Sequence, residues 1–338
     1  MLTLRNISPG MMLVLLLTIS STFLVQQAGL ARYGISPLTL AIVLGAIFGN
    51  VLPQLTLGDR QLGLRFAQKN LLRAGVALYG FNLSLQQIAQ VGSTGIVVDL
   101  FMVCSTLCIG WFVGTRLLGL DRETTMLTTA GSAICGAAAI VATVPMLHAD
   151  EEQIVEKTSS AVATVVLFGT LAIFIYPALY AWIGGSKATF GIYIGSTVHE
   201  VAQVVAIGNI VGGDAARTAV IVKMIRVMLL VPFLLSTGAL FRGSGKQREA
   251  ITIPWFAVIF VIFAGINSLH VLPEILVTLL RQTGIVFLTA AMGALGLETT
   301  FVRLRKTGSR TFLLGLCLFV HLVVTGGLIN RWLAGASF

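Results

Sequence analysis

Residues 188–211 read ATFGIYIGSTVHEVAQVVAIGNIV, an apolar stretch with ionisable side chains at its centre. A helix crosses the hydrocarbon core of a bilayer with about 20 apolar residues, so this stretch is long enough to do so. His199 and Glu200 would then lie deep in the membrane, where ionisable groups are costly and mark functional sites. Several glycines weaken the helix. The stretch therefore predicts a membrane helix that is broken near Gly195–Thr197, with a functional site at the break.

An earlier stretch of the chain resembles this one. GSAICGAAAIVA (131–142) and GSTVHEVAQVVA (195–206) share Gly-Ser at the start and A-x-x-V-A at the end. A second, weaker pair is GFNLSLQQIAQVG (80–92) and GLETTFVRLRKTG (296–308). Many secondary transporters consist of two repeats with opposite orientations in the membrane. The two pairs together predict an all-α polytopic membrane protein, an inverted-repeat transporter with two discontinuous or re-entrant helices.

The composition also indicates a membrane protein. Hydrophobic residues make up 56% of the 338 residues and charged residues only 10%, whereas soluble proteins are about 25% charged. No long polar stretch is left for a second domain, so residues 1–338 are predicted to form a single transmembrane transporter domain. The net charge of +9 comes mainly from basic residues in short loops. This pattern favours contact with membrane lipids over binding of nucleic acid.

Eleven apolar segments are candidates for membrane spans. They are residues 10–28, 36–53, 70–89, 94–118, 124–147, 158–183, 188–211, 215–241, 252–270, 273–298 and 311–334. Basic residues cluster in the loops after the second, eighth and tenth segments, which predicts a cytoplasmic N-terminus and an external C-terminus. Inverted repeats require an odd number of crossings between the repeated stretches. The alternative to eleven spans is therefore nine spans, with 124–147 and 188–211 re-entrant.

The repeated stretches supply the candidate substrate site. If each helix breaks at its Gly-Ser pair, the half-helix that follows offers free backbone N–H groups and a positive dipole end to a small anion. The predicted substrate-binding residues are Gly131, Ser132, Gly136, Gly195, Ser196, Thr197, Gln203, Lys223 and Arg226. Ser196, His199 and Gln203 are expected to share one helix face. The alternative for the polar side chains is hydrogen bonding between helices.

Two pairs of ionisable residues have further predicted roles. His199 and Glu200 are expected to couple transport to protons, because a histidine beside a glutamate inside a membrane can carry a proton. Lys223 and Arg226 lie i, i+3 on segment 215–241. They either attract an anionic substrate or form a structural ion pair with Glu200 or Asp99.

Motifs for enzymatic chemistry are absent from the sequence. It contains no Walker motif, dinucleotide fingerprint or G-x-S-x-G elbow. Gln203 stands where an H-E-x-x-H zinc site needs its second histidine. The four cysteines lie within apolar runs, which indicates packing rather than metal binding. We therefore expect a protein that is not an enzyme and has no cofactor or metal ion.

Three stretches resemble a known family. AGSAICGAAAI (130–140), LLRAGVALYGFNLS (71–84) and residues 195–206 are similar to the YeiH family of bacterial inner-membrane proteins, which is labelled a sulfate exporter family. The family is grouped with the cation:proton antiporter and anion transporter superfamily. The resemblance implies inverted repeats, discontinuous helices that cross at the midplane, an elevator-like core around 131–142 and 195–206, and a homodimer.

These predictions favour a secondary transporter that exports or exchanges a small inorganic or organic anion, sulfate or a sulfonate-like compound, coupled to H⁺ or Na⁺. A cation:proton antiporter that uses Glu200 is the first alternative. A membrane scaffold or sensor without transport activity is the second, and it would have no accessible cavity at the midplane.

Overall fold

The structure is a computed structural model that describes residues 4–27, 36–56, 58, 60–147, 151–240, 255–299 and 308–335. Every regular element in this part of the chain is helical, as the sequence predicts. The basic loops at 241–254 and 300–307, which support the predicted orientation, lie outside the described residues.

The helices follow the apolar segments of the sequence. They are α1 (Leu4–Gln27), α2 (Pro37–Val51), α3 (Arg60–Phe66), α4 (Leu72–Tyr79), α5 (Leu85–Phe112), α6 (Arg122–Ala133), α7 (Ala137–Thr143), α8 (Glu151–Ile183), α9 (Lys187–Thr197), α10 (Val201–Val211), α11 (Gly213–Met228), α12 (Leu230–Leu240), α13 (Trp255–Ser268), α14 (Glu274–Glu298) and α15 (Ser309–Gly335). A π-helical turn, Val113–Leu117, extends α5.

Six helical stretches within the described residues are long and apolar enough to cross a membrane. They are Pro9–Gln27, Ser93–Leu117, Glu156–Ile183, Gly213–Gly238, Glu274–Glu298 and Ser309–Leu333. The predicted number of eleven spans is not confirmed by these lengths, and the inverted repeat also stays a prediction.

The chain divides into two compact units. Unit 1 consists of Met1–Gln90, Val205–Arg217 and Trp255–Val302. Unit 2 consists of Val91–Val204, Thr218–Pro254 and Arg303–Phe338. The single transporter domain stays a prediction.

In unit 1, helices α2 and α14 approach each other through glycines. A side chain at Gly45 of α2 would collide with the backbone oxygen of Gly293, and one at Gly49 would collide with that of Leu297. Such close approach lets membrane helices associate by van der Waals packing. The two glycines form the G-x-x-x-G spacing of residues 45–49, and this spacing is a packing contact within the unit.

In unit 2, helices α6 and α8 begin side by side. Lys157 Nζ of α8 lies 2.9 Å from Oδ1 of Asp121, the residue that caps α6, and 3.2 Å from Glu123 Oε2. Farther along, Gly131 of α6 packs against Val165 of α8. The two helices therefore run in the same direction, and α7 returns the chain to the end at which α6 begins.

Candidate functional site

Both repeated stretches are interrupted. Helix α6 ends at Ala133 and α7 begins at Ala137, with Gly136 at φ +70° and ψ −139° between them. That conformation is essentially restricted to glycine. Helix α9 ends at Thr197 and α10 begins at Val201. The predicted break near Gly195–Thr197 is therefore real but lies just after these residues, at 198–200.

Lys223 joins the two breaks. Its Nζ donates to Ile134 O at 2.6 Å and to Val198 O at 2.7 Å, so one ammonium group binds both interrupted helices. Lys223 lies on α11 and is 0% exposed. The last carbonyl groups of a helix have no partner within the helix and carry its negative dipole end. The ammonium therefore stabilises the ends of α6 and α9.

Arg226, one turn further along α11, makes the same kind of contact. Its Nε donates to Ala133 O, and its two terminal nitrogens donate to Ser196 O and, at 3.1 Å, to Ser132 O. Its Nε also lies 4.0 Å from Asp99 Oδ1, and both side chains are 0% exposed. Lys223 and Arg226 were predicted either to attract an anionic substrate or to form a structural ion pair. This geometry favours a structural role, in which backbone carbonyl groups are the main partners.

Glu200 is the last residue of the second break and directly precedes α10. Its Oε1 accepts a hydrogen bond from Ala137 N at 3.4 Å, at the positive dipole end of α7. Its own N–H donates to Gln203 Oε1 at 3.1 Å. A carboxylate at a helix N-terminus is favourable for the same electrostatic reason that a cation is favourable at the C-terminus. Glu200 thus occupies the place where the sequence analysis expected a substrate anion.

Several predicted site residues lie on the other side of their breaks from the expected position. Gly131 and Ser132 end α6, and Gly195, Ser196 and Thr197 end α9, so none of them starts a half-helix. The backbone groups left without a partner in the helix at these ends are carbonyl oxygens instead of N–H groups, because a helix ends in acceptors. This corrects the expected anion cradle, whereas their roles in binding substrate stay predictions.

The hydroxyl groups of α9 already have partners within the unit. Thr197 Oγ1 donates to Tyr193 O and accepts from the hydroxyl of Tyr176 at 2.7 Å. Ser196 Oγ donates to Tyr193 O at 3.3 Å. Gly195 packs against Val222 of α11, where a larger residue would not fit.

His199 lies in the break and not on a helix, so it does not share a helix face with Gln203. Its ring is 6.3 Å from that of Phe319 on α15, and neither ring nitrogen has a hydrogen-bond partner among the described residues. Gln203 Nε2 and Ser132 Oγ also have none. Buried polar atoms are nearly always paired, so these three side chains need partners that the described residues do not supply.

Asp99 was predicted only as one alternative ion-pair partner for Lys223 and Arg226, and the structure places it at the site. Segment 94–118 places it near a predicted helix end, where contact with water explains an acidic residue. In the structure it lies well inside α5, fully buried, and neither carboxylate oxygen accepts a hydrogen bond from the described residues. The predicted pairing with Arg226 is present at 4.0 Å, but the apolar run alone did not show that the carboxylate is fully buried.

A separate cavity of about 350 Å³ lies elsewhere in unit 2. Its lining includes Trp182, Ser186, Asn330 and Arg331, at the ends of α8 and α15 and the start of α9. The residues of the two helix breaks do not line it, and we describe the breaks as the candidate site.

Fold and site together define a helical membrane protein whose buried polar site is built on two interrupted helices. The chain belongs to the family described as Conserved hypothetical protein 698, whose model matches residues 9–315. A UPF0324 membrane protein of Yersinia pestis is 48% identical to it over 335 residues, with 95% of this chain and 91% of the relative covered.

Other relatives match over similar lengths. The UPF0324 inner membrane protein YeiH of Salmonella typhimurium is 45% identical, with 97% of this chain and 95% of the relative covered. A UPF0324 membrane protein of Bordetella pertussis is 46% identical, with 94% and 92% covered. No solved structure matches the chain. The resemblance to the YeiH family is thus confirmed.

Proposed function

We propose that this protein is a secondary transporter of the inner membrane that exports or exchanges a small anion, coupled to H⁺ or Na⁺. The observation that carries the proposal is the contact of a single ammonium group, that of Lys223, with both broken helices. Helices interrupted inside the membrane are the usual framework of substrate sites in such transporters. The names of the relatives in Salmonella and Escherichia coli support an inner-membrane location.

We further propose nine spans with two re-entrant hairpins, the second of the topologies that the sequence left open. Helix α7 returns to the end at which α6 begins. Helix α12 also finishes there, because Gly238 lies against Met146, just after α7. We take Gly213–Gly238 as one crossing, since it is long and apolar enough, and in this proposal α10 ends on the side where α9 begins. The two hairpins then enter from opposite sides, as an inverted repeat requires.

The site residues suit a small ion that binds without its hydration shell. Lys223 and Arg226 provide positive potential, although most of their donors are occupied by carbonyl groups. Direct contacts with the ion would come from Ser132, His199 and Gln203, which have unpartnered polar atoms. We propose Glu200 as the residue that binds and releases the coupling proton. Sulfate or a sulfonate-like compound is the anion to test first.

The test is flux into liposomes that contain the purified protein, driven by an imposed pH gradient and measured with radiolabelled sulfate and a panel of other anions. We expect Glu200→Gln and His199→Ala to abolish gradient-driven flux without unfolding the protein. His321→Ala is the matched control, because His321 is bound to Ser105 and Thr325 in the same unit. Unchanged flux in both site variants would refute the proposal.

A cation:proton antiporter is the second candidate, and Asp99 favours it. A buried carboxylate whose oxygens accept no hydrogen bonds from the described residues can bind Na⁺ or a proton in turn. Flux that depends steeply on Na⁺ and does not respond to oxyanions would select this function. A homodimer, implied by the family resemblance, belongs to either proposal and is tested by the mass of the purified protein in detergent.

A further inference from the structure

Four hydroxyl groups on α6 have no hydrogen-bond partner among the described residues, although all are buried. They belong to Thr125, Thr128, Thr129 and Ser132, each at most 1% exposed. At about 100° per residue they fall within an arc of about 100° on one side of the helix. They extend over about 10 Å of the helix axis. We call these four residues the hydroxyl face.

Two other buried hydroxyls in unit 2 are bonded to their own helix. Thr106 of α5 donates to Met102 O at 2.6 Å, and Thr143 of α7 donates to Ala139 O at 2.7 Å. Both residues are 0% exposed. This bond is the usual solution for a hydroxyl in a helix, because an unpartnered buried hydroxyl is costly. The hydroxyl face therefore has the character of a binding surface.

The hydroxyl face connects the surface of unit 2 with the site. It begins one turn after Asp121, whose side chain is 43% exposed and pairs with Lys157. It ends at Ser132, whose carbonyl oxygen accepts a hydrogen bond from Arg226. The four hydroxyls are thus the polar groups that α6 offers between a charged, partly exposed cluster and the helix breaks.

Two glycines of the preceding segment lie opposite the hydroxyl face. A side chain at Gly114 would come within 2.7 Å of Thr125 Oγ1, and one at Gly110 would collide with Thr129. Gly114 belongs to the π-helical turn Val113–Leu117, and such turns are frequent at functional sites. Since no side chain fills this line of contact, a small separation of α5 and α6 would open a gap lined by hydroxyl groups.

We propose that the hydroxyl face is the path by which water and the transported ion reach the helix breaks from the end of unit 2 at which α6 begins. A hydroxyl both donates and accepts, so a row of them can replace part of the hydration shell of a small inorganic ion of either sign. The described state is closed, since the four oxygens are inaccessible to solvent. The proposal rests on the proposed transport function.

Replacement of threonine by valine tests the proposal, because it removes the hydroxyl and keeps the shape. We expect Thr129→Val to slow flux about fivefold, the worth of one net hydrogen bond in the conducting state. The melting temperature should not fall, because the closed state leaves this hydroxyl without a partner among the described residues. Thr106→Val and Thr143→Val are the matched controls and should keep the flux of the parent protein. Unchanged flux for Thr129→Val would overturn the path, whatever the melting temperature of the variant.

A labelling experiment separates failure of this path from failure of the transport proposal. Thr129→Cys should react with a small water-soluble thiol reagent at least about tenfold faster than Thr106→Cys, if a rare open state exposes the hydroxyl face. The parent protein has four free cysteines, so its labelling is subtracted from that of each variant. Equal rates would reject the path even for a protein that transports. Faster labelling without any measurable flux would support the path and count against the proposed substrate.

Discussion

Replacement of Lys223 by methionine removes the ammonium group that joins the two helix breaks. Two charge-assisted hydrogen bonds, at 2.6 Å and 2.7 Å, are lost. Each is worth about 1.5–3 kcal/mol, which gives a gross loss of about 3–6 kcal/mol. The variant also avoids the cost of burying a cation, so we expect a net loss of about 3 kcal/mol. Methionine fills a similar volume, and cavity formation adds little.

The measurement is thermal unfolding of the purified protein in detergent. At about 2 °C per kcal/mol, Lys223→Met should melt about 6 °C below the parent protein. Lys157→Met is the matched control. Its ammonium group also has two partners, Asp121 and Glu123, but it is partly exposed. Exposed ion pairs contribute less than about 1 kcal/mol, so the control should lose at most about 2 °C.

Two results would contradict this reasoning. If Lys223→Met melts like the parent protein but loses affinity for a transported anion, the ammonium group is a substrate ligand and not a cap on the helix ends. If Lys157→Met and Lys223→Met lose equal stability, burial does not strengthen the contacts with the carbonyl groups.

Three further changes test separate features of unit 2. Gly136→Ala should lower the free energy of unfolding by about 2 kcal/mol, seen as a lower melting temperature, because φ is +70° and an added Cβ would lie 2.5 Å from Glu200 Cγ. Tyr176→Phe should cost about 1 kcal/mol in the same assay, since a buried hydroxyl bond is lost. Partial burial acts to raise the pKa of Asp121, but hydrogen bonds from a backbone N–H and from Lys157 outweigh it and hold that pKa well below its usual range. The resulting stability is complete above about pH 4 and is lost on further acidification, and Asp121→Asn should flatten this part of the melting curve against pH.

Much of the fold follows from the sequence because the apolar runs are long and few polar residues interrupt them. The glycines of the two stretches predicted that both helices are interrupted, but the first break lies at 134–136, after the predicted Gly131–Ser132. The position of the second break was not predictable either. Gly195 suggested it, but that glycine is needed for close packing of α9 on α11. The break falls instead at 198–200, where no glycine occurs.

The second break depends on contacts that no local pattern shows. Residues 198–200 can leave the helix because Lys223 satisfies the carbonyl group of Val198 and Gln203 satisfies the N–H of Glu200. The polar side chains near the breaks could be identified from the sequence, since they are conspicuous in an apolar run. Their roles could not be identified, because they depend on the exact position of each break. The helix that ends at a break offers carbonyl groups, and the helix that begins after it offers N–H groups.

The charges of the site suggest how a proton and an anion are coupled. Lys223 and Arg226 carry two positive charges, and Asp99 and Glu200 carry two negative charges when both are ionised. An anion that enters this neutral site loses its hydration without net attraction. Protonation of one carboxylate leaves one excess positive charge, so a proton and an anion should bind together.

Glu200→Gln fixes the site in the charged state that favours the anion. For the parent protein, linkage of one proton to one anion predicts that affinity falls about tenfold per pH unit once the carboxylate ionises. The variant should bind the anion at high pH about as well as at low pH, although gradient-driven flux is lost. Titration calorimetry from about pH 6 to pH 9 measures how anion affinity changes with pH in the parent protein and in the variant. The result would differ if Asp99 carries the proton. Glu200→Gln would then keep the pH dependence of anion affinity that the parent protein shows, and Asp99→Asn would remove it. In that case the charge of the site changes through the carboxylate beside Arg226.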